Sequence, residues 1–251
     1  MPTPKRLSQV FGHLGNFRKL SEIGQSFLSL ILFRKSRRRN KRASPRRNTQ
    51  IIMNVKEVLQ QFVEGATDLR FNNVEVTPET IHAIMINEIV PSHPEEDFYG
   101  KSDAAYMTTT IPLFKKAGIE VDSVQDILNK GIYITNAVKI PKNGYVVSKE
   151  SIEESLPYLE RELALFPNVK VIMLMGDVAK KAFNMIGKKA IKKNVIPSVS
   201  TYKLRNTEIS YNGVRILPSY IMTGQNILIE KSKFEMASED ISMMYRLIMK
   251  K

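Results

Sequence analysis

A chain of 251 residues is long enough for one substantial core, and 43% hydrophobic with 25% charged residues is ordinary for a soluble globular protein. The absence of Cys excludes disulfides, thiolate-ligated zinc, cysteine-held iron–sulfur clusters and a cysteine nucleophile, and is compatible with a reducing cytoplasm, the expected location. The net charge of +13 is uneven: residues 1–50 carry 13 Lys and Arg against the single acid Glu22, whereas residues 51–251 carry 25 bases and 24 acids, so a basic segment precedes a nearly neutral body.

In the basic segment the apolar run Phe27 to Phe33 falls far short of the roughly 20 residues a membrane-spanning helix requires. Its basic cluster, Arg34 to Arg47, follows the apolar run, whereas a secretory signal places charge before it. Three readings stay open: a nucleic-acid-binding arm, an Arg-rich organelle leader, or upstream sequence ahead of an internal start at Met53. Each is compatible with a disordered tail. The boundary is drawn there, with 1–52 as a basic N-terminal segment and 53–251 as the folded domain. At Met53 the stretch "MNVKEVLQQFV" opens a helical pattern.

The body alternates short apolar runs with longer segments of helical spacing. His82–Val90, Ile132–Val138, Val169–Met175 and Val214–Ile221 read as buried strands. Ala104–Ala117, Ser148–Phe166, Asp177–Lys189 and Lys231–Met249 read as helices, with Ser148 as a cap for the second and Gly176 as a strand-to-helix turn before the third. This alternation predicts an α/β fold, a three-layer α-β-α sandwich with a central, mainly parallel four-stranded sheet. Ligands of such sheets bind beyond the carboxyl ends of the strands. The segments there are polar: "NEIVPSHPEEDFYG" (87–100), "TNAVKIPKNGY" (135–145), "MGDVAKKAF" (175–183) and "PSYIMTGQN" (218–226).

Taken in order, these four edges resemble the uracil-DNA glycosylase superfamily over roughly residues 82–245, most closely the thermophile-type branch that often carries an iron–sulfur cluster. "INEIVPS" resembles the Gly-Glu-x-Pro-Gly turn of that branch, with Glu88 at the acidic position and Asn87 where Gly is usual. "DFYG" resembles Pro-Phe-Val-Gly and puts Phe98 at the residue on which uracil stacks. "YITNAVK" puts Asn136 at the amide that reads uracil. The last signature, Pro-Thr-Tyr-His-Pro-Ser, appears as Pro218 to Thr223, with Ile221 in the place of the catalytic histidine. The cluster cysteines are missing as well.

The resemblance implies a DNA glycosylase of base excision repair that hydrolyses the N-glycosidic bond of uracil or a related deaminated base, as a monomer, without metal or cofactor and with no membrane partner. The alternative is a superfamily member impaired in catalysis that serves as a DNA- or protein-binding module. A nucleotide-handling α/β hydrolase is disfavoured by the lack of a Gly-rich phosphate motif. In the catalytic reading Glu88 orients water and Thr223 replaces the histidine as donor to the base, while Phe98 stacks and Asn136 pairs with uracil. His93 is a second histidine substitute. The bland readings are a capping or ion-paired Glu88 and a turn-capping Asn136. Phosphate contacts are expected from Ser92, Lys139, Lys142, Gly224, Gln225 and Asn226. The six lysines between Lys180 and Lys193 read chiefly as a solvated helix face.

Overall fold

The structure, a computed structural model, describes residues 51–65, 67–141 and 146–250. Residues 1–50 of the basic segment expected over 1–52, and the phosphate contact expected from Lys142, lie outside the described residues. Ile51 and Ile52 are exposed, and Met53 opens a two-stranded antiparallel ribbon of β1 (Met53–Asn54) and β2 (Glu75–Val76). The helix expected from Met53 is shorter than its pattern: α1 covers only Val55–Gln60, its start set by the Asn54 side chain, which accepts the Glu57 N–H at 3.2 Å.

The four expected strands form the parallel part of one sheet: β3 (Ala83–Ile89), β4 (Ile132–Val138), β5 (Val171–Met175) and β7 (Val214–Ser219). A fifth strand, β6 (Ile209–Tyr211), corrects the expected count of four. It joins β7 antiparallel through a tight turn at Asn212 and Gly213, both with positive φ, and the sheet order is β4-β3-β5-β7-β6. All seven residues of β4 are buried although it ends the sheet. Its outward backbone groups find substitutes for a neighbouring strand: the Ile134 N–H donates to the Tyr99 hydroxyl at 3.1 Å, and the Asn72 amide donates to the Ile134 carbonyl at 3.0 Å.

Helices cover both faces. On one, Met107, Leu113 and Phe114 of α2 (Ala105–Lys116) and Ala237, Ile241 and Met244 of α8 (Lys231–Met249) pack on alternate strand residues such as Met85, Ile134 and Met173. The spacing of four and three along α8 puts its apolar residues in one stripe. α3 (Val124–Asn129), closed by a Ser123–Asp126 capping box, leads into β4. The opposite face is covered by α4 (Lys149–Ala164) and α5 (Asp177–Ile191). Ser148 caps α4 as expected, accepting the Ser151 N–H at 3.0 Å. The short α6 (Thr201–Leu204) and α7 (Asn226–Ile229) flank β6 and β7.

This wiring locates the site. The chain leaves β3 toward the α2 face and leaves β4 and β5 toward the α4 and α5 face, so the connections diverge above the carboxyl ends of β3 and its neighbours. That divergence is the switch point where open α/β sheets hold ligands.

Candidate active site

Parallel pairing of β3 with β4 sets Asn87 directly beside Asn136 at the switch point, both buried. The Asn87 amide nitrogen donates to Asn136 Oδ1 at 2.9 Å. Asn136 Nδ2 in turn lies 3.0 Å from each oxygen of the half-buried Asp97 carboxylate. Thr223, carried past the end of β7, donates its hydroxyl to Asn87 Oδ1 at 3.2 Å. A turn of 3₁₀ helix at Pro94–Glu96 folds the segment after β3 back so that Asp97 reaches β4, and the Phe98 N–H donates to Asp97 Oδ1 at 2.8 Å. Burial pushes the Asp97 carboxyl up from its ordinary value, against the opposing pull of the Phe98 N–H, the Asn136 amide and the Lys139 ammonium.

Glu88, the next residue of β3, points to the start of α5 and accepts the Val178 N–H at 3.0 Å. Gly176 permits this approach: a Cβ there would stand 2.3 Å from Glu88 Oε1, and its φ of +105° suits only glycine. A carboxylate at a helix N-terminus meets unpaired N–H groups and the positive end of the dipole. Burial raises the half-buried Glu88 carboxyl, and the Val178 and Asp177 amides draw it back. Its capping reading is therefore realised, and the same anchor holds the carboxylate at the sheet edge.

Phe98 is fully buried, with its ring centroid 5.1 Å from that of Tyr106 at a tilt of 51°. The Tyr106 hydroxyl donates to the Ile89 carbonyl at 2.7 Å, tying α2 to the end of β3. Ile221 is 37% exposed and offers no side-chain donor where the resemblance expects imidazole. His93 is exposed at the start of the 3₁₀ turn, 3.9 Å from Glu95. Gly224, Gln225 and Asn226 are exposed before and at the start of α7, and Ser92 is exposed with its carbonyl accepting from Arg70 at 2.7 Å.

Lys139 corrects an expectation. Its ammonium faces inward, paired with Glu162 of α4 and bonded to the Thr135 hydroxyl at 2.6 Å, and the side chain is 1% exposed. A phosphate cannot reach it, because withdrawing it would strand the buried Glu162, whose other donors are the Tyr133 and Thr135 hydroxyls at 2.7 and 2.9 Å. Lys180 is inward as well, bound to Asp177 at 2.6 Å, while Lys181, Lys188, Lys189, Lys192 and Lys193 are exposed as the solvated-face reading requires. A cavity of about 800 Å³ lies against α4 and α5, with Lys181, Met185, Lys188 and Val199 in its lining; neither Glu88 nor Asn136 borders it. Among the described residues no group of three or more His, Asp or Glu is placed to hold a metal ion.

Two site residues escaped the sequence reading. In the sequence Asn87 stands out only as a departure from glycine, and Asp97 only as part of "DFYG". The signal for Asn87 was an amide inside a strand otherwise apolar from Ala83 to Ile86. For Asp97 no local signal existed.

Among known families, the model described as the Uracil DNA glycosylase superfamily matches residues 87–227, starting on Asn87 and spanning Glu88, Asn136 and Thr223. No curated protein matches the chain.

Proposed function

Because the chain belongs to the uracil DNA glycosylase superfamily, we propose that it acts on DNA as a glycosylase for uracil or a related deaminated base. One observation carries this reading: the Asn136 amide is held in a single orientation at the switch point, one strand away from a carboxylate anchored on a helix N-terminus. An amide that donates to uracil O4 and accepts from N3–H separates uracil from cytosine. The base must leave the stack to reach it, and Phe98 with Tyr106 supplies aromatic surface for that step once Phe98 is uncovered.

In this mechanism the bond between uracil N1 and C1′ breaks with its electron pair going to uracil, and the oxygen of water bonds to C1′. Ionised Glu88 orients that water, accepts its proton and offsets the positive charge that develops on the sugar. The anionic base then takes a proton from solvent. With Ile221 in the histidine position and the Thr223 hydroxyl given to Asn87, stabilisation of the leaving base falls to backbone N–H groups of the 222–226 segment. Neutral donors stabilise an anion less than charge-assisted ones, so turnover is expected to be slow.

The same observations favour a second reading, recognition of a base without turnover, since Asn136 Oδ1 already accepts from Asn87 and Ile221 stands in the histidine position. Incubating the full chain with oligonucleotides bearing uracil, hypoxanthine or xanthine, then cleaving abasic sites with alkali, separates the two. Base release establishes the enzyme; affinity that depends on the modified base without release establishes the binder. An absence of both overturns the proposal. Asn136→Asp sets a second carboxyl against Asp97 and is expected to weaken release or binding of uracil DNA by about 2–4 kcal/mol, roughly 30- to 1,000-fold.

A further inference from the structure

Asp97, Asn136, Asn87 and Thr223 form a single chain of hydrogen bonds, and its direction is set at one end. An ionised carboxylate only accepts, so Asn136 must turn Nδ2 toward Asp97, which leaves Oδ1 to receive the Asn87 amide. Asn87 Oδ1 then faces Thr223, whose hydroxyl donates to it. Rotating both amides by 180° would keep the Asn87–Asn136 and Asn87–Thr223 bonds with donor and acceptor exchanged, and with almost no change of shape, but would turn Asn136 Oδ1 toward Asp97. Thr223 is indifferent to that reversal, because a hydroxyl donates or accepts equally well. Asp97 is the member of the chain that is not.

From this geometry we infer that Asp97 is a positioning residue: its carboxylate fixes the polarity of the Asn87–Asn136 amide pair, and with it the donor and acceptor pattern that the switch point offers to a base. The base-reading part rests on the function proposed above; the orienting part does not. The resemblance assigns nothing to either position, since it has Pro where Asp97 stands and Gly where Asn87 stands. Beyond these bonds each amide keeps one lone pair, and the Asn136 NH₂, 3.0 Å from both Asp97 oxygens, keeps a hydrogen where it meets the carboxylate through a single N–H. In the observed polarity Asn136 has its NH₂ for an acceptor such as uracil O4 and its carbonyl for a donor such as N3–H. In the reversed polarity the same edge suits the N4 amine and N3 of cytosine.

Asp97→Asn tests this in the full chain, because it keeps the shape and adds a donor. The Phe98 N–H, 2.8 Å from Oδ1 in the native protein, retains the new carbonyl, and the new NH₂ takes the place of the second oxygen, which also lies 3.0 Å from Asn136 Nδ2, so the acceptor-only face that holds the Asn136 NH₂ is lost. Side-chain amide resonances, with Asn136 assigned from its loss in Asn136→Ala, report the orientation directly. The native Asn136 NH₂ is expected downfield and slow to exchange. That signature should vanish in Asp97→Asn and persist in Thr223→Val, which breaks the far end of the chain. Preference for a single-uracil oligonucleotide over its cytosine counterpart should fall roughly tenfold or more in Asp97→Asn, as expected for one mispaired buried polar group.

An Asn136 signature unchanged by Asp97→Asn would overturn the inference. So would a native Asn136 NH₂ that exchanges as fast as an exposed amide, a result obtainable even if the variant does not fold. Native protein with no preference for uracil over cytosine would defeat the proposed function, while the resonances would still decide the role of Asp97.

Discussion

Replacing Gly176 by Ala is the most direct probe of how Glu88 is held. The backbone at Gly176, with φ of +105° and ψ of 176°, lies in a region essentially closed to residues with a Cβ, at about 1–3 kcal/mol for the strain. The new methyl would also stand 2.3 Å from Glu88 Oε1, so the carboxylate must leave the α5 terminus and lose the Val178 N–H. A hydrogen bond to a charged group contributes about 1.5–3 kcal/mol, and half-exposure of Glu88 puts this one at the lower end. Together the effects amount to roughly 3–5 kcal/mol, or about 6–20 °C in Tm for a domain of this size. Glu88→Gln, which keeps the acceptor and removes only a charge that burial already disfavours, should stay within about 0.5 kcal/mol of the native protein. Urea unfolding of both variants gives the comparison, and uracil release should fall in both if Glu88 directs water. Gly176→Ala within about 1 kcal/mol of the native protein would refute the reasoning, since it would mean that β5 and α5 can part without cost.

Lys139→Met leaves the Glu162 carboxylate buried with only hydroxyl donors, and should destabilise by about 3–5 kcal/mol in urea, against less than about 0.5 kcal/mol for the exposed Lys181→Met. Burial holds the carboxyls of Glu88, Asp97 and Asp240 above their ordinary values, so the folded chain binds more protons than the unfolded one in the window that opens at 3.8 for Asp and 4.5 for Glu. Their combined contribution is complete below that window and declines as pH rises through it, so unfolding free energy measured between pH 7.5 and 5 should increase on acidification; a decrease over that interval would contradict the assignment.

Much of this architecture was legible because buried parallel strands are continuous apolar runs. Ile132–Val138 matches its strand from end to end, and α8 matches the Lys231–Met249 segment. The edge strand β6 was missed because three residues, the middle one an exposed Ser210, form no run, although Asn212-Gly213 is a hairpin turn signal. Lys139 was misjudged because position beyond a strand end says nothing of which way a long side chain turns. Its partner did leave a trace: Glu162 interrupts the apolar stripe of Ile152, Leu156, Leu159 and Leu163 on α4, and a carboxylate on a buried stripe demands a cation. The amide chain at the site was the least legible part. It joins residues 87, 97, 136 and 223 through strand register and a folded-back turn, and neither is encoded locally.

The two margins of the sheet are finished differently, and this bears on how copies of the chain meet. At β6 the sheet stops after three residues in a twisted hairpin, and at β4 a phenol and a carboxamide sit in the places an incoming backbone would take. A newcomer strand aligned on β4 would have to evict Tyr99 and Asn72 from Ile134 before gaining its first ladder bond. The Asn72 amide also bonds the buried Tyr133 hydroxyl, at 2.6 Å, so eviction would disturb the interior. Zipper-like growth from folded molecules is thereby opposed at the outset, and self-association of the intact fold is left to its helices and loops.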